Sequence, residues 1–167
     1  YRATYVLIQF AHNDQSSKPE RWTEEKTEFP ANLRRFVENV RAAGAIPVLV
    51  TPLTRREFKD GQIRNTLASW SDQVRDVAKA MDVPLVDLNA LSAAQVQKIG
   101  AETATQLAQV PPNADELAAA KAGTTLPPRP APPAPPAIEG DGPRGQVTHK
   151  FDYTHLGDIG AEVTARL

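Results

Sequence analysis

The sequence predicts an α/β fold, in which a parallel sheet is flanked by helices in a three-layer sandwich. Short, strongly apolar runs recur along the chain, and amphipathic segments with helical periodicity lie between them. Strand–helix–strand order at this spacing is typical of parallel strands that are joined by right-handed crossovers and covered by helices.

Three apolar runs have the character of buried strands: TYVLIQF at 4–10, IPVLV at 46–50 and PLVDL at 84–88. Apolar, β-branched runs of this kind are typical of strands that are buried on both faces inside parallel sheets. Because the chain begins almost directly on the first run, without an initiator methionine, we expect that residues preceding Tyr1 belong to the fold. The sheet would then lack its N-terminal strand, and residues 4–10 would have one bare edge.

Helices are predicted between and after these strands. Apolar residues recur on one face of residues 30–43, and Gly44 is a suitable C-terminal stop. Two further amphipathic helices are predicted for 65–81 and for 90–109, and a final helix ends the chain. The inward-facing candidates are Leu33, Phe36, Val37, Val40, Leu67, Trp70, Val74, Val77, Ala78, Met81, Leu91, Val96, Ile99, Leu107, Ile159, Val163 and Leu167.

Residues 110–147 interrupt this alternation. Seven prolines lie between Pro127 and Pro136 and favour extended polyproline II structure. We expect a surface insertion or linker that carries a short helix in ADELAAAKA (114–122); a ligand for a proline-recognition domain is the alternative. The predicted organisation is an α/β core at 1–109, the proline-rich segment at 110–147, and a C-terminal part of the same domain at 148–167.

Composition excludes several classes of function. A chain of 167 residues suits one domain. A formal net charge of −1 argues against a nucleic-acid partner, since binding to phosphate backbones requires clustered positive charge. The absence of cysteine removes thiol nucleophiles and thiolate metal sites. No apolar run has the roughly 18–20 residues of a membrane span, so no membrane partner is expected.

The segment FDYTHLG, residues 151–157, carries a possible acid–base pair. An imidazole acts as a general base when a carboxylate holds one ring nitrogen and leaves the other free. Asp152 and His155, three apart in a turn, could meet in this way, or they could be a solvated loop pair. A metal site is a further alternative, with His149, Asp152 and His155 spaced by threes; His12 and Asp14 could join them.

The segment QFAHND, residues 9–14, lies at the carboxyl end of the first predicted strand, where ligands bind in open α/β sheets. The amide of Asn13 could stabilise a developing oxyanion there. The alternative is that Asn13 closes the strand with an Asx turn.

Four segments together resemble the GDSL/SGNH hydrolase superfamily and, within it, rhamnogalacturonan acetylesterase-like carbohydrate esterases: YVLIQFAHND, FPANLRRFVENVRAAGAIPVLVTPLTRR, VPLVDLNALS and DYTHLGDIGAE. The resemblance implies a flavodoxin-like SGNH-hydrolase fold and removal of acetyl groups from plant cell-wall polysaccharides or oligosaccharides by Ser-His-Asp acyl transfer without a cofactor. It gives His155 the role of base, Asp152 that of the triad acid, and Asn13 that of oxyanion-hole donor. It also implies a secreted or periplasmic protein.

The sequence departs from the family pattern in two places. Ala11 stands where the family has a glycine, and the Gly-Asp-Ser block that carries the nucleophile is absent. None of the five serines, Ser16, Ser17, Ser69, Ser71 and Ser92, has that context. We therefore expect the nucleophile upstream of this chain, and these 167 residues alone to be inactive.

Three further residues are candidates for substrate binding. Arg55 and Arg56 follow the second strand, and their guanidinium groups would suit the galacturonate carboxylates of the pectic substrates that the resemblance implies. A surface ion pair or a helix-dipole contact is the alternative for both. Trp22 could stack on a sugar ring or simply pack.

Two other classes of function stay open. The chain could be a noncatalytic carbohydrate-binding remnant that keeps Asp152 and His155 without a nucleophile. It could also be an interaction module whose proline-rich segment binds a partner.

Overall fold

A computed structural model describes residues 3–16, 21–129 and 150–167. The described residues within Tyr1–Arg55 and Asn65–Gln95 form one compact unit, and those within Arg56–Arg64 and Val96–Leu167 form a second one. Ser17, His149 and residues 130–147 of the proline-rich segment lie outside the described residues.

Ten elements follow one another along the described residues. In chain order they are β1 (Tyr5–Ile8), α1 (Glu28–Ala42), β2 (Ile46–Val50), β3 (Phe58–Lys59), β4 (Gln62–Ile63), α2 (Ala68–Met81), β5 (Leu85–Val86), α3 (Leu88–Thr105), α4 (Ala114–Lys121) and α5 (Asp158–Thr164). None of these helices is long and apolar enough to span a membrane.

The first unit contains a parallel sheet in the order β1-β2-β5. β1 and β2 pair in parallel, with Tyr5 beside Ile46. β2 and β5 also pair in parallel, with Leu49 beside Leu85. The predicted α/β class, with a parallel sheet flanked by helices, is confirmed. Among the described residues β1 pairs with β2 alone, which leaves its other edge unpaired.

The core of the first unit lies between this sheet and helices α1 and α2. Ile8 points into it, and Phe29 on α1 meets Trp70 on α2 edge-to-face, with ring centroids 4.9 Å apart. The other face of β1 is open: Tyr5 is 60% exposed and Leu7 is 68% exposed. The prediction that this strand is buried on both faces is therefore wrong for the described residues.

Local signals explain where the helices of the first unit begin and end. Gly44 follows α1 with a φ of 76°, a left-handed conformation that glycine adopts without strain, so the predicted stop is confirmed. Helix α3 begins at Leu88, so the predicted extension of the third strand to residue 88 is wrong. The carboxylate of Asp87 accepts a hydrogen bond from the Ala90 amide and so caps the helix.

The second unit contains a hairpin that the sequence reading missed. Strands β3 and β4 pair antiparallel around Asp60 and Gly61, whose φ angles are 52° and 76°. Two positive φ angles define the turn that matches the twist of a hairpin, and Asp-Gly is a preferred pair for it. The buried core of the second unit consists of Phe58, Val96, Ala101, Ala104 and Ala120.

The end of the chain packs closely against the segment that follows α3. Leu156 forms an antiparallel bridge with Ala108, and the Gly157 amide donates to the carbonyl of Leu107. A Cβ atom at Gly157 would lie 2.9 Å from the carbonyl oxygen of Ala108. The glycine that follows His155 and Leu156 therefore permits a close backbone approach that fixes the base of the turn.

Candidate active site

Asp152 and His155 contact each other in the second unit, one of the arrangements that their spacing left open. Oδ2 of Asp152 lies 2.7 Å from Nδ1 of His155. The other carboxylate oxygen, Oδ1, accepts the backbone amides of Thr154 at 2.8 Å and of His155 at 2.7 Å. One carboxylate therefore closes the turn and also holds the imidazole ring.

The surroundings of this pair favour an ionised acid and an outward-facing base. Burial alone would raise the pKa of Asp152, but hydrogen bonds from the amide and ring of His155 and from the Thr154 amide bring that pKa below its ordinary value. An ionised carboxylate can only accept, so Nδ1 of His155 donates the hydrogen bond, and in the neutral imidazole Nε2 is then the nitrogen with the lone pair. The Asp152 side chain is 11% exposed, whereas that of His155 is 68% exposed.

The lowered pKa of Asp152 predicts how the free energy of unfolding changes at acidic pH. Because the pKa of Asp152 is depressed in the folded protein, the interactions of its carboxylate stabilise the fold above the unfolded pKa and are lost as the pH falls through the folded value. The difference in free energy of unfolding between the unsubstituted protein and Asp152→Asn should therefore shrink below about pH 4. Urea unfolding at pH 7 and pH 3 measures it; an equal difference at both pH values would contradict the expectation.

Arg56, a predicted substrate contact, is instead enclosed in the second unit. Its side chain is fully buried, with an exposure of 1%, and its guanidinium donates to backbone carbonyls of the Asp152–His155 turn. Burial lowers the pKa of Arg56 to about 10, against the opposing influence of Asp152 and Tyr153. In this position the guanidinium is not presented to solvent, so we replace the predicted substrate contact with a structural role.

Asn13 belongs to the first unit, in the turn that follows β1. Asp14 closes this turn: its carboxylate accepts the Ala11 amide at 2.9 Å and the Thr23 hydroxyl at 3.1 Å. Ala11 is buried and has a φ of 117°, a region that favours glycine, which gives a physical reason for the glycine of the family pattern. The side-chain contact that closes this turn is thus made by Asp14, and Asn13 is exposed.

Arg55 and Trp22 also lie in the first unit. Nη1 of Arg55 donates to Oε1 of Gln15 at 2.6 Å and to the Thr66 hydroxyl at 2.8 Å, so this arginine braces the segment that carries Asn13. The exposed indole of Trp22 lines an open hollow of about 500 Å³ together with Gln15 and Trp70.

The described serines of the first unit include two with clear structural roles. The buried hydroxyl of Ser71 donates to the carbonyl of Leu67, one turn earlier. The hydroxyl of Ser92 accepts the Thr54 amide and donates to the Asn89 carbonyl. Both hydroxyls stabilise backbone, which is the ordinary use of a buried serine.

The metal alternative gains no support from the described residues. Within 3–16, 21–129 and 150–167, no group of three or more His, Asp or Glu side chains converges as metal ligands would. His149, which belonged to that alternative, lies outside these ranges.

Two contributions to the site geometry were missed by sequence reasoning. Asp14 closes the turn around Asn13, and an aspartate directly after Asn13 was a signal for bonding between a side chain and the neighbouring backbone. Arg56 contacts a turn nearly one hundred residues later in the chain, and no local pattern indicates that contact.

Part of the amino-acid sequence is similar to known proteins. Residues 1–108 match the GDSL-like lipase/acylhydrolase family. The chain is 40% identical over 104 residues to a rhamnogalacturonan acetylesterase of Bacillus subtilis. This alignment covers 62% of this chain and 44% of that protein. It is 32% identical over 99 residues to a probable rhamnogalacturonan acetylesterase of the same organism. That alignment covers 59% of this chain and 46% of the relative. The chain thus spans less than half the length of these curated relatives.

Two solved structures are similar in fold. A Bacillus subtilis protein from a structural genomics programme aligns with a TM-score of 0.54 and 26% identity, covering 65% of this chain and 31% of its own. An acetyl xylan esterase of Geobacillus stearothermophilus aligns with a TM-score of 0.51 and 20% identity, covering 75% and 62%. At that identity, the second likeness shows the fold alone.

Proposed function

The chain belongs to the GDSL-like lipase/acylhydrolase family, and on this premise we propose that it forms part of a serine esterase that removes acetyl groups from a plant cell-wall polysaccharide. The observation that carries the proposal is the contact of 2.7 Å between Asp152 Oδ2 and His155 Nδ1, beside an imidazole that faces solvent. This is the arrangement in which a histidine can accept a proton from a hydroxyl.

The proposed reaction is acyl transfer in two steps. Nε2 of His155 takes the proton of a serine hydroxyl as that oxygen attacks the acetyl carbonyl, and the imidazolium gives this proton to the sugar oxygen as it leaves, so that an acetyl-serine remains. His155 then takes a proton from the water that attacks this ester and returns it to the serine oxygen as acetate departs. Asp152 keeps the imidazole in the required tautomer and stabilises the imidazolium that forms. Asn13 is the proposed donor to the oxyanion.

We assign the nucleophile to a serine outside these 167 residues. The described roles of Ser71 and Ser92 in bonding backbone support this assignment, because neither hydroxyl has a general base as its partner. The greater length of the curated relatives is consistent with it.

The proposed substrate is an acetylated rhamnogalacturonan or a related pectic chain, and the names of the two curated relatives support it. Galacturonate carboxylates would suit Arg55, and a sugar ring would suit the exposed face of Trp22. A polysaccharide of the cell wall would be met outside the cytoplasm, so we propose a secreted or periplasmic location.

The function is tested by measuring acetate release by the full-length protein from acetylated rhamnogalacturonan and from acetylated xylan. We expect faster release from the pectic substrate. Equal rates would contradict the proposed substrate while keeping the esterase. Binding to the polysaccharide without acetate release would instead identify a noncatalytic carbohydrate-binding protein.

Replacing Asn13 tests the oxyanion assignment separately. Asn13→Ala should lower turnover on p-nitrophenyl acetate by about 10²–10³-fold with little change in KM, because the lost hydrogen bond would form mainly in the transition state. Asn39→Ala, at an exposed position of α1, is a matched control that should retain full turnover. Turnover of Asn13→Ala within a factor of three of the unsubstituted protein would remove Asn13 from the oxyanion hole.

A further inference from the structure

Arg56 contacts every backbone carbonyl of the turn from Asp152 to His155. Its Nη2 atom donates to the carbonyl oxygens of Asp152 at 3.1 Å and of His155 at 3.0 Å. Its Nη1 atom donates to that of Thr154 at 3.3 Å, and its own backbone amide donates to that of Tyr153 at 2.9 Å. A single residue therefore provides donors for four consecutive acceptors.

These contacts supply hydrogen-bond donors to carbonyl groups of the turn, some of which are buried. Asp152 and Tyr153 are buried, and buried carbonyls require donors because water cannot reach them. A planar guanidinium carries several N–H groups in a fixed fork, so it can serve carbonyls that point in neighbouring directions. Its positive charge also faces the carbonyl side of the turn, which is the negative end of the aligned peptide groups.

The opposite side of the same turn is held by Asp152. The amides of Thr154 and His155 point to its Oδ1 atom, and its Oδ2 atom holds the imidazole. The amide side of the turn is therefore fixed by the acid of the pair, and the carbonyl side is fixed by Arg56. A backbone restrained on both sides keeps the Cα atoms of Asp152 and His155 at a fixed separation, from which the carboxylate can reach the imidazole.

We infer that Arg56 is a positioning residue that holds the backbone of the Asp152–His155 turn, so that the carboxylate and the imidazole keep their contact. It touches neither substrate nor reacting atoms, and it acts through the backbone that carries them. The catalytic consequence rests on the proposed esterase function; the effect on the geometry of the pair does not.

The central experiment replaces Arg56 with lysine in the full-length protein. Lysine keeps a positive charge but presents its donors from one nitrogen, so it cannot reproduce the fork that reaches three carbonyls. We expect kcat on p-nitrophenyl acetate to fall on the order of 10²-fold with KM unchanged, since small displacements of a catalytic group have effects of that size. Arg64→Lys, an exposed arginine of the same unit, is the matched control and should behave as the unsubstituted protein.

Two readouts report on the turn itself. The downfield NMR resonance of the Nδ1 proton of His155 should broaden or disappear in Arg56→Lys, because the contact with Asp152 loosens. Hydrogen exchange of the Thr154 and His155 amides should accelerate at least tenfold, while amides in α4 should keep their protection. A purely global loss of stability would instead accelerate all of these amides together, and that result would overturn the inference.

Unchanged kcat, proton resonance and amide exchange in a folded Arg56→Lys protein would equally overturn it. If that variant does not fold, hydrogen exchange in the unsubstituted protein still tests the inference. A turn held from both sides should protect the Thr154 and His155 amides as strongly as the amides of α4. Exchange of these two amides at the rate of an unstructured loop would reject the inference. Absence of esterase activity in the unsubstituted protein would reject the proposed function, whereas the resonance and the exchange rates would continue to test Arg56.

Discussion

In the full-length protein, His155→Ala is expected to abolish esterase activity, with a loss in turnover on the order of 10⁶-fold. The imidazole is the group that would take the nucleophile's proton, and the described residues hold its Nδ1 atom 2.7 Å from Asp152. Because the ring is largely exposed, its removal leaves the core intact and the protein should fold normally. Release of p-nitrophenol from p-nitrophenyl acetate, followed alongside a thermal unfolding curve, measures both effects.

His149→Ala is the matched control, since it removes a histidine six positions earlier in the sequence. The triad assignment predicts that His149→Ala keeps its turnover within a factor of three. Equal loss in both variants, together with inhibition by a chelator, would favour the metal alternative. Retained activity in His155→Ala would exclude His155 as the base.

The parallel strands could be predicted best where turn-forming residues bound them. IPVLV at 46–50 has Gly44 shortly before it and Pro52 shortly after it, and β2 has the predicted bounds. The run at 84–88 ended differently, because the apolar Leu88 looks like a strand residue in isolation. The Asp87 carboxylate accepts the Ala90 amide, which caps a helix at this point, and it also accepts the Thr51 hydroxyl.

The β3–β4 hairpin shows a signal that was present and overlooked. Asp60-Gly61 is a preferred pair for a two-residue hairpin turn, yet each flanking strand has only two residues. Strands that short show no alternation of apolar and polar residues, so periodicity could not find them. The Asp-Gly pair is therefore the sequence signal that predicts this hairpin.

The candidate site could be predicted only as far as local spacing reaches. Asp152 and His155 lie three residues apart, so their contact follows from one turn. Arg55 and Arg56 are indistinguishable by local sequence, yet one braces the segment near Asn13 through Gln15 and the other is buried beneath a distant turn. That difference depends on contacts between residues nearly one hundred positions apart, which no local pattern encodes.

Asp152→Asn is expected to lower turnover by about 10⁴-fold while leaving the turn in place. The asparagine can still accept the amides of Thr154 and His155 through its oxygen, so the backbone contacts survive. Its amide nitrogen, however, donates a proton where the carboxylate accepted one. Nδ1 of His155 must then act as acceptor and the proton moves to Nε2, which can no longer take a proton from the nucleophile.

Two further variants separate the tautomer effect from disorder of the turn. Asp152→Ala removes both the ring contact and the backbone contacts, so it should match the loss of turnover of Asp152→Asn and also accelerate hydrogen exchange at the Thr154 and His155 amides. Asp158→Asn, an exposed carboxylate in the first turn of α5, should keep full activity. Long-range ¹H–¹⁵N spectra of His155 identify which ring nitrogen carries the proton. If Asp152→Asn keeps its turnover within tenfold, or keeps the Nδ1–H tautomer, Asp152 does not orient the base, and its carboxylate serves only to close the turn.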